Sequence, residues 1–111
     1  MTSVFDYGDA IISEDRIAEM GLVDVQNCYA ELNELDQKNL FYVLLATAIF
    51  YEDEKKEKVA AKVYMFIAHY LFLLETPPES ERLAKYYIEK AILLDDLQEY
   101  HDEKDFILMG N

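Results

Sequence analysis

Apolar positions gather in three consecutive stretches between residues 40 and 94, and the rest of the chain reads as cover for them. The first stretch holds Leu40, Phe41, Val43, Leu44, Leu45, Ala48, Ile49 and Phe50. The second holds Val59, Val63, Phe66, Ile67, Tyr70, Leu71, Phe72 and Leu74. The third holds Leu83, Ala84, Tyr87, Ile88, Ala91 and Leu94. Spacings of three and four place such residues on one helical face. From Leu40 to Tyr51 nearly every residue is apolar, which predicts the central, all-round buried helix. Ala46 and Ala48 favour helix over strand there. An earlier stripe of Val25, Cys28, Leu32 and Leu35 predicts a further amphipathic helix.

Start and stop signals divide the pattern. Ser13, followed by Glu14 and Asp15, reads as an N-cap with acids in the first turn; Ile12 and Ile17 are spaced as a hydrophobic staple. Gly21 suits a helix stop. Asp24 and Asp36 are placed to cap the next two helices, Leu35 and Leu40 forming a second staple. Residues 52–58 are all charged and contain no Gly or Pro. A turn near Asp53 is predicted, since one helix running through would separate its apolar runs and leave them hard to bury in a small domain. Thr76, Pro77, Pro78 and Glu79 read as a cap, a first-turn proline and a capping-box acid.

The predicted fold is all-α: four to five helices in an antiparallel bundle or a short helical-hairpin array, forming one domain over residues 1–111. Residues 1–12 and 105–111 are left open to irregular structure, with Val4, Phe5 and Tyr7 able to pack down. A chain of 111 residues with 52% apolar residues suits a single core. Only 3 Gly and 2 Pro favour a few long helices over many short strands.

Charge narrows the function. The chain has 23 acidic and 10 basic residues, a formal net charge of −13. That repels phosphate backbones and anionic lipid surfaces, so neither direct nucleic-acid binding nor membrane docking is expected. A protein partner with a basic surface would be steered toward it. Six acids lie within residues 95–105: Asp95, Asp96, Glu99, Asp102, Glu103 and Asp105. A second group is Glu52, Asp53, Glu54 and Glu57. Both are candidate partner-binding surfaces, with Tyr42, Tyr86 and Tyr100 as aromatic contacts near polar faces. The acids also serve solubility.

Catalytic and metal-binding patterns are missing. No Glu-x-x-His or His-Glu-x-x-His run occurs at His69 or His101. His69 reads as a packed histidine, and His101 with Asp105 would hold a divalent ion only weakly. The serines lack a glycine-flanked elbow, and no glycine loop could cradle phosphate. Cys28 lies at core spacing, and a single cysteine points to a reducing compartment. Residues 1–8 lack the basic and apolar regions of a signal peptide, and the apolar runs are short for a bilayer. The expectation is a cytoplasmic, non-enzymatic protein without cofactor or metal, its self-association left open.

Ala48, Tyr51, Ala60 and Tyr64 have the spacing of the tetratricopeptide repeat, in which small and aromatic residues let antiparallel helices approach. Ala84, Ile88 and Ala91 resemble the second helix of such a repeat. Ala60 and Ala84 lie 24 positions apart, against about 34 in the family. The resemblance implies an adaptor or chaperone holding a partner helix or peptide in an apolar groove. The acidic composition implies an inhibitor or immunity-type protein that covers a basic, nucleic-acid-binding surface, its carboxylates standing in for phosphates.

Overall fold

Ser13 opens the first helix as expected: its hydroxyl accepts the Arg16 N–H, and Ile12 and Ile17 on either side are buried. The computed structural model describes residues 11–110, so the packing expected of Val4, Phe5 and Tyr7 lies outside the described residues. Six α-helices follow one another in the described residues: α1 (Glu14–Glu19), α2 (Leu22–Glu31), α3 (Glu34–Asp53), α4 (Glu57–His69), α5 (Ser80–Leu94) and α6 (Gln98–Met109). The described residues contain no strand, and the class is all-α. A radius of gyration of 12.9 Å is that of one domain of about 100 residues. No helix among the described residues is long and apolar enough to cross a membrane.

The centre of the bundle is α4, not the predicted 40–51 stretch. Residues 60, 61 and 63–69 are all buried, and α3 and α5 make their most extensive contacts with α4. Ala60, Ala61 and Ala68 let neighbouring backbones approach, as larger side chains on α3 do not. In α3 only Leu40, Leu44, Thr47, Ala48 and Tyr51 are buried; Tyr42, Ile49 and Phe50 face outward. An apolar circumference is therefore not sufficient for central placement. What α4 has in addition is small residues on two faces.

The hairpin turn near Asp53 is present. Lys55 takes a left-handed conformation (φ 64°). The Lys56 N–H donates to the Tyr51 carbonyl at 2.8 Å and the Lys55 N–H to the Glu52 carbonyl at 3.1 Å. This pair of bonds is a Schellman closure with lysine where glycine is usual.

Three cap assignments differ from the sequence reading. Gly21 does not stop α1, which closes on Met20; it precedes α2, and Asp24 accepts the Gly21 N–H at 2.7 Å from inside the helix. Asn33, not Asp36, caps α3, its side chain accepting the Asp36 N–H at 2.8 Å. Leu35 therefore lies within the helix and is 68% exposed, so it forms no staple with buried Leu40. The α5 helix begins at Ser80, four residues after Thr76, with Glu79 before it at φ 68°. Pro78 explains the delay: a residue before proline is pushed out of the helical region, so Pro77 cannot serve as a first helical residue.

After His69 the chain widens into a π-helical turn, Tyr70–Leu74, closed by the Glu75 N–H on the Tyr70 carbonyl at 2.9 Å. Two successive hairpins make α3 and α5 run in the same direction on either side of α4. Tyr64 reaching Glu52 near the end of α3, and Tyr70 reaching the Gln37 carbonyl near its start, fix that antiparallel register. The α6 helix then returns along the bundle, with Tyr100, Glu103 and Ile107 facing inward.

Candidate functional site

The parallel course of α3 and α5 leaves a groove between them, floored by α4 and the π-turn. On α3, Leu35, Tyr42, Leu45, Ile49 and Glu52 recur at helical spacing along the groove wall, while the Leu40, Leu44 and Ala48 stripe packs inward. On α5, Leu83, Tyr86, Tyr87 and Lys90 form the opposite wall, while Ala84, Ile88 and Ala91 pack inward. Leu35 and Glu52 stand about 25 Å apart along α3 at 1.5 Å per residue. The edge-to-face contact of Phe41 with Tyr87, centroids 6.2 Å apart, bridges the walls and divides the groove into two hollows.

The first hollow, about 480 Å³, is apolar. Leu35, Tyr42 and Leu83 surround its mouth, Tyr42 being 66% and Leu83 38% exposed. Tyr70 and Leu71 form its floor, and the Tyr70 ring stacks on Phe41. Its polar edge is an ion pair, Lys38 Nζ to Glu75 at 3.1 Å. Tyr29 donates to the other Glu75 oxygen at 2.9 Å, and burial, with this carboxylate adding, pushes the Tyr29 phenol up to about 12.

The second hollow, about 330 Å³, is polar at its base. The Tyr64 hydroxyl donates to Glu52 at 2.7 Å and Lys90 Nζ reaches the other carboxylate oxygen at 3.2 Å. The Tyr64 hydrogen bond, supported by Lys90, holds the Glu52 carboxyl below its ordinary range. Burial drives the Tyr64 phenol upward, and Glu52 adds to it. The rings of Tyr64 and Tyr87 stack at 5.9 Å with 11° between their planes.

The candidate residues named from the sequence separate into three groups. Tyr42 and Tyr86 are exposed and belong to the groove walls, and Glu52 lies at the groove base. Asp53, Glu54 and Glu57 are exposed around the α3 to α4 turn; Asp96, Glu99, Asp102 and Asp105 are exposed at the start and along the outside of α6, and Asp95 is half-buried. The contact of Lys90 with Glu52 shows that α3 and α5 end at the same side of the bundle. Asp53 and Asp96, 43 positions apart, thus lie at one end of the molecule, while the meeting of Glu103 with His69 carries Asp102 and Asp105 toward the other.

Glu103 and Tyr100 are corrections. Neither is a surface residue: Tyr100 is buried, and Glu103, 9% exposed, points at His69. Helical periodicity is the reason, since positions 100, 103 and 107 form the inward stripe of α6 whatever their polarity. His101 meets Asp96 rather than Asp105. No group of three or more metal-ligating side chains occurs among the described residues.

Sequence reasoning missed Leu35 and Leu83 as groove residues. It assigned Leu35 to a staple and Leu83 to the core; Asn33 as the actual cap was the signal for Leu35. It also missed Gln26 as a partner of His69, which contacts it at 2.8 Å across 43 positions. Comparison with family models, with curated proteins and with solved structures finds no match to the chain.

Proposed function

We propose that the protein is a non-catalytic protein-binding module that holds a basic, amphipathic segment of a partner protein between α3 and α5. The observation that carries this reading is the groove, where Leu35, Tyr42 and Leu83 stay exposed around an apolar hollow. Exposed large apolar side chains converging on a concavity mark binding sites more strongly than scattered ones do. Tyrosine suits such a surface, combining contact area with a polar tip. The net charge of −13 selects a basic partner and speeds its approach. This is the use that the tetratricopeptide resemblance implies.

A second reading rests on the carboxylate-rich end. There the exposed Asp53, Glu54, Glu57 and Asp96, with Glu99, Asp102 and Asp105 extending the charge along the outside of α6, would cover a basic nucleic-acid-binding surface in the manner of an inhibitor.

Salt and substitution separate the two. A partner is identified by capture and mass spectrometry, then purified and titrated. Groove binding predicts that Leu83→Asp and Tyr42→Ala weaken affinity at least about tenfold, roughly 1.4 kcal/mol, with a shallow salt dependence. Carboxylate mimicry predicts that Glu99→Lys with Asp102→Lys does so, with a steep salt dependence, because exposed charges are screened within about 8 Å at physiological ionic strength. Wild-type affinity in both variant sets overturns both readings.

A further inference from the structure

We infer that the hollow at the Glu52 end of the groove is a recognition pocket for an arginine side chain of the partner, and that Lys90, on its wall, is the resident stand-in that pairs with Glu52. The inference rests on the groove reading above and assigns the chemistry of its polar end.

Lys90 itself shows that the hollow accepts a cation. Its ammonium lies 5.4 Å from the centroid of the Tyr64 ring and 3.2 Å from Glu52. A carboxylate and an aromatic face converging on one positive group is the arrangement that holds cationic side chains. The carboxylate is fixed in place by the Tyr64 hydroxyl at 2.7 Å, so little ordering is required of it on binding. Its volume, about 330 Å³, lies at the small end of ligand pockets and suits one long side chain. Tyr86, 57% exposed, stands at the opening.

Arginine fits better than lysine for two reasons. Its planar guanidinium can lie against the Tyr87 and Tyr64 rings, which are within 11° of parallel, while forking toward a carboxylate. It is also more weakly hydrated than an ammonium, so moving it out of water costs less. An incoming guanidinium would displace the flexible Lys90 chain toward water. The exposed Asp53, Glu54 and Asp96 at this end of the bundle keep the local field negative throughout the exchange. The partner segment therefore carries an apolar anchor for the Leu83 hollow and an arginine about 15 Å further along, the rise of α3 from Tyr42 to Glu52.

The test uses Nα-acetyl-arginine methylamide as probe, with the neutral isostere Nα-acetyl-citrulline methylamide as control, followed by the ring signals of Tyr64 and Tyr87 in NMR titrations. The arginine probe is expected to shift both rings saturably and the citrulline probe to leave them in place. Lys90→Met removes the stand-in and is expected to tighten arginine binding roughly threefold or more, the scale of one exposed cation–π contact. Glu52→Gln is expected to abolish saturation; should it unfold, Tyr86→Ala, at an exposed wall position, is expected to weaken binding instead. Equal responses to both probes, or an affinity unchanged by Lys90→Met, overturn the inference. Loss of partner binding in Leu83→Asp, with saturable probe binding retained, tests the groove reading separately.

Discussion

His69 and Glu103 meet inside the bundle, Nδ1 to Oε2 at 3.0 Å, and tie α6 to the end of α4. The other ring nitrogen faces the Gln26 side-chain amide on α2 at 2.8 Å. With the Gln26 nitrogen donating to Nε2, the hydrogen on Nδ1 is donated to the Glu103 carboxyl. Three helices distant in sequence are thus held by one chain of polar contacts. No buried side-chain nitrogen or oxygen among the described residues lacks a partner.

That contact predicts a graded response to substitution. Glu103→Ala leaves a buried imidazole without its acceptor and is expected to cost about 1–3 kcal/mol. Glu103→Gln keeps an acceptor oxygen and is expected to cost less. Joint replacement, His69→Phe with Glu103→Leu, should recover part of the loss, since apolar pairs often match buried polar ones. Urea unfolding measures all three, and hydrogen exchange in α6 shows whether that helix loosens first. Equal stability of Glu103→Ala and the wild type would disprove the role of the pair.

Much of the fold was legible because its signals are local. Ser13 caps through an N–H three residues away, and the apolar stripes follow from helical spacing alone. The turn after Asp53 was legible only through the need to bury two apolar runs, because Lys55 takes the left-handed position without being glycine. The 76–79 capping box was misread because the effect of Pro78 on Pro77 outweighs the cap pattern. The site was less legible. Tyr42 and Tyr86 were found from the polar neighbours on their helix faces. Leu35 and Leu83 were not, since whether an apolar residue on the edge of a stripe is covered depends on where α3 and α5 sit over α4. Glu103 hid in an acidic run, although its spacing from Tyr100 and Ile107 puts it on the inward stripe of α6 and Asp102 off it.

Ala60 is fully buried on α4, and Ala48 is fully buried on α3, the helix paired with it across the turn at Lys55. Ala60→Leu adds three carbons where no space is provided and is expected to destabilise the protein by about 1–3 kcal/mol. Ala46→Leu, an exposed site on α3, serves as the control and should stay within about 0.5 kcal/mol. An unchanged melting temperature for Ala60→Leu would contradict tight packing at this point.

Lys55 offers a stabilising change. A left-handed residue with a Cβ costs about 1–2 kcal/mol, and glycine removes that strain while giving back about 0.5–1 kcal/mol of backbone entropy. Lys55→Gly is therefore expected to raise stability by up to about 1.5 kcal/mol. Glu54→Gly, one residue earlier at φ −81°, gains no relief and should lower it. Opposite signs in thermal melts of the two variants are the expected result; a loss in both would place the strain elsewhere.

The Tyr64 to Glu52 bond predicts opposite effects at the two ends of the pH scale. Glu52 has a lowered carboxyl pKa in the fold, caused first by the Tyr64 hydroxyl. Its contribution to stability is full above the unfolded value of about 4.3 and is lost as pH falls through the folded value. Tyr64, Tyr70 and Tyr100 have raised phenol pKa values, burial being the first cause; that of Tyr100 reaches about 12. Their contribution is full below the unfolded value of about 10 and is lost as pH rises through the folded ones. Tyr64→Phe should therefore cost stability at neutral pH, the gap to wild type closing below about pH 4 as Glu52 takes up its proton. In alkali, absorbance at 295 nm should show the buried phenols ionising together with unfolding rather than near pH 10. A stability gap between Tyr64→Phe and wild type that does not change between pH 7 and pH 3 would show that Glu52 and Tyr64 are not coupled in the folded protein.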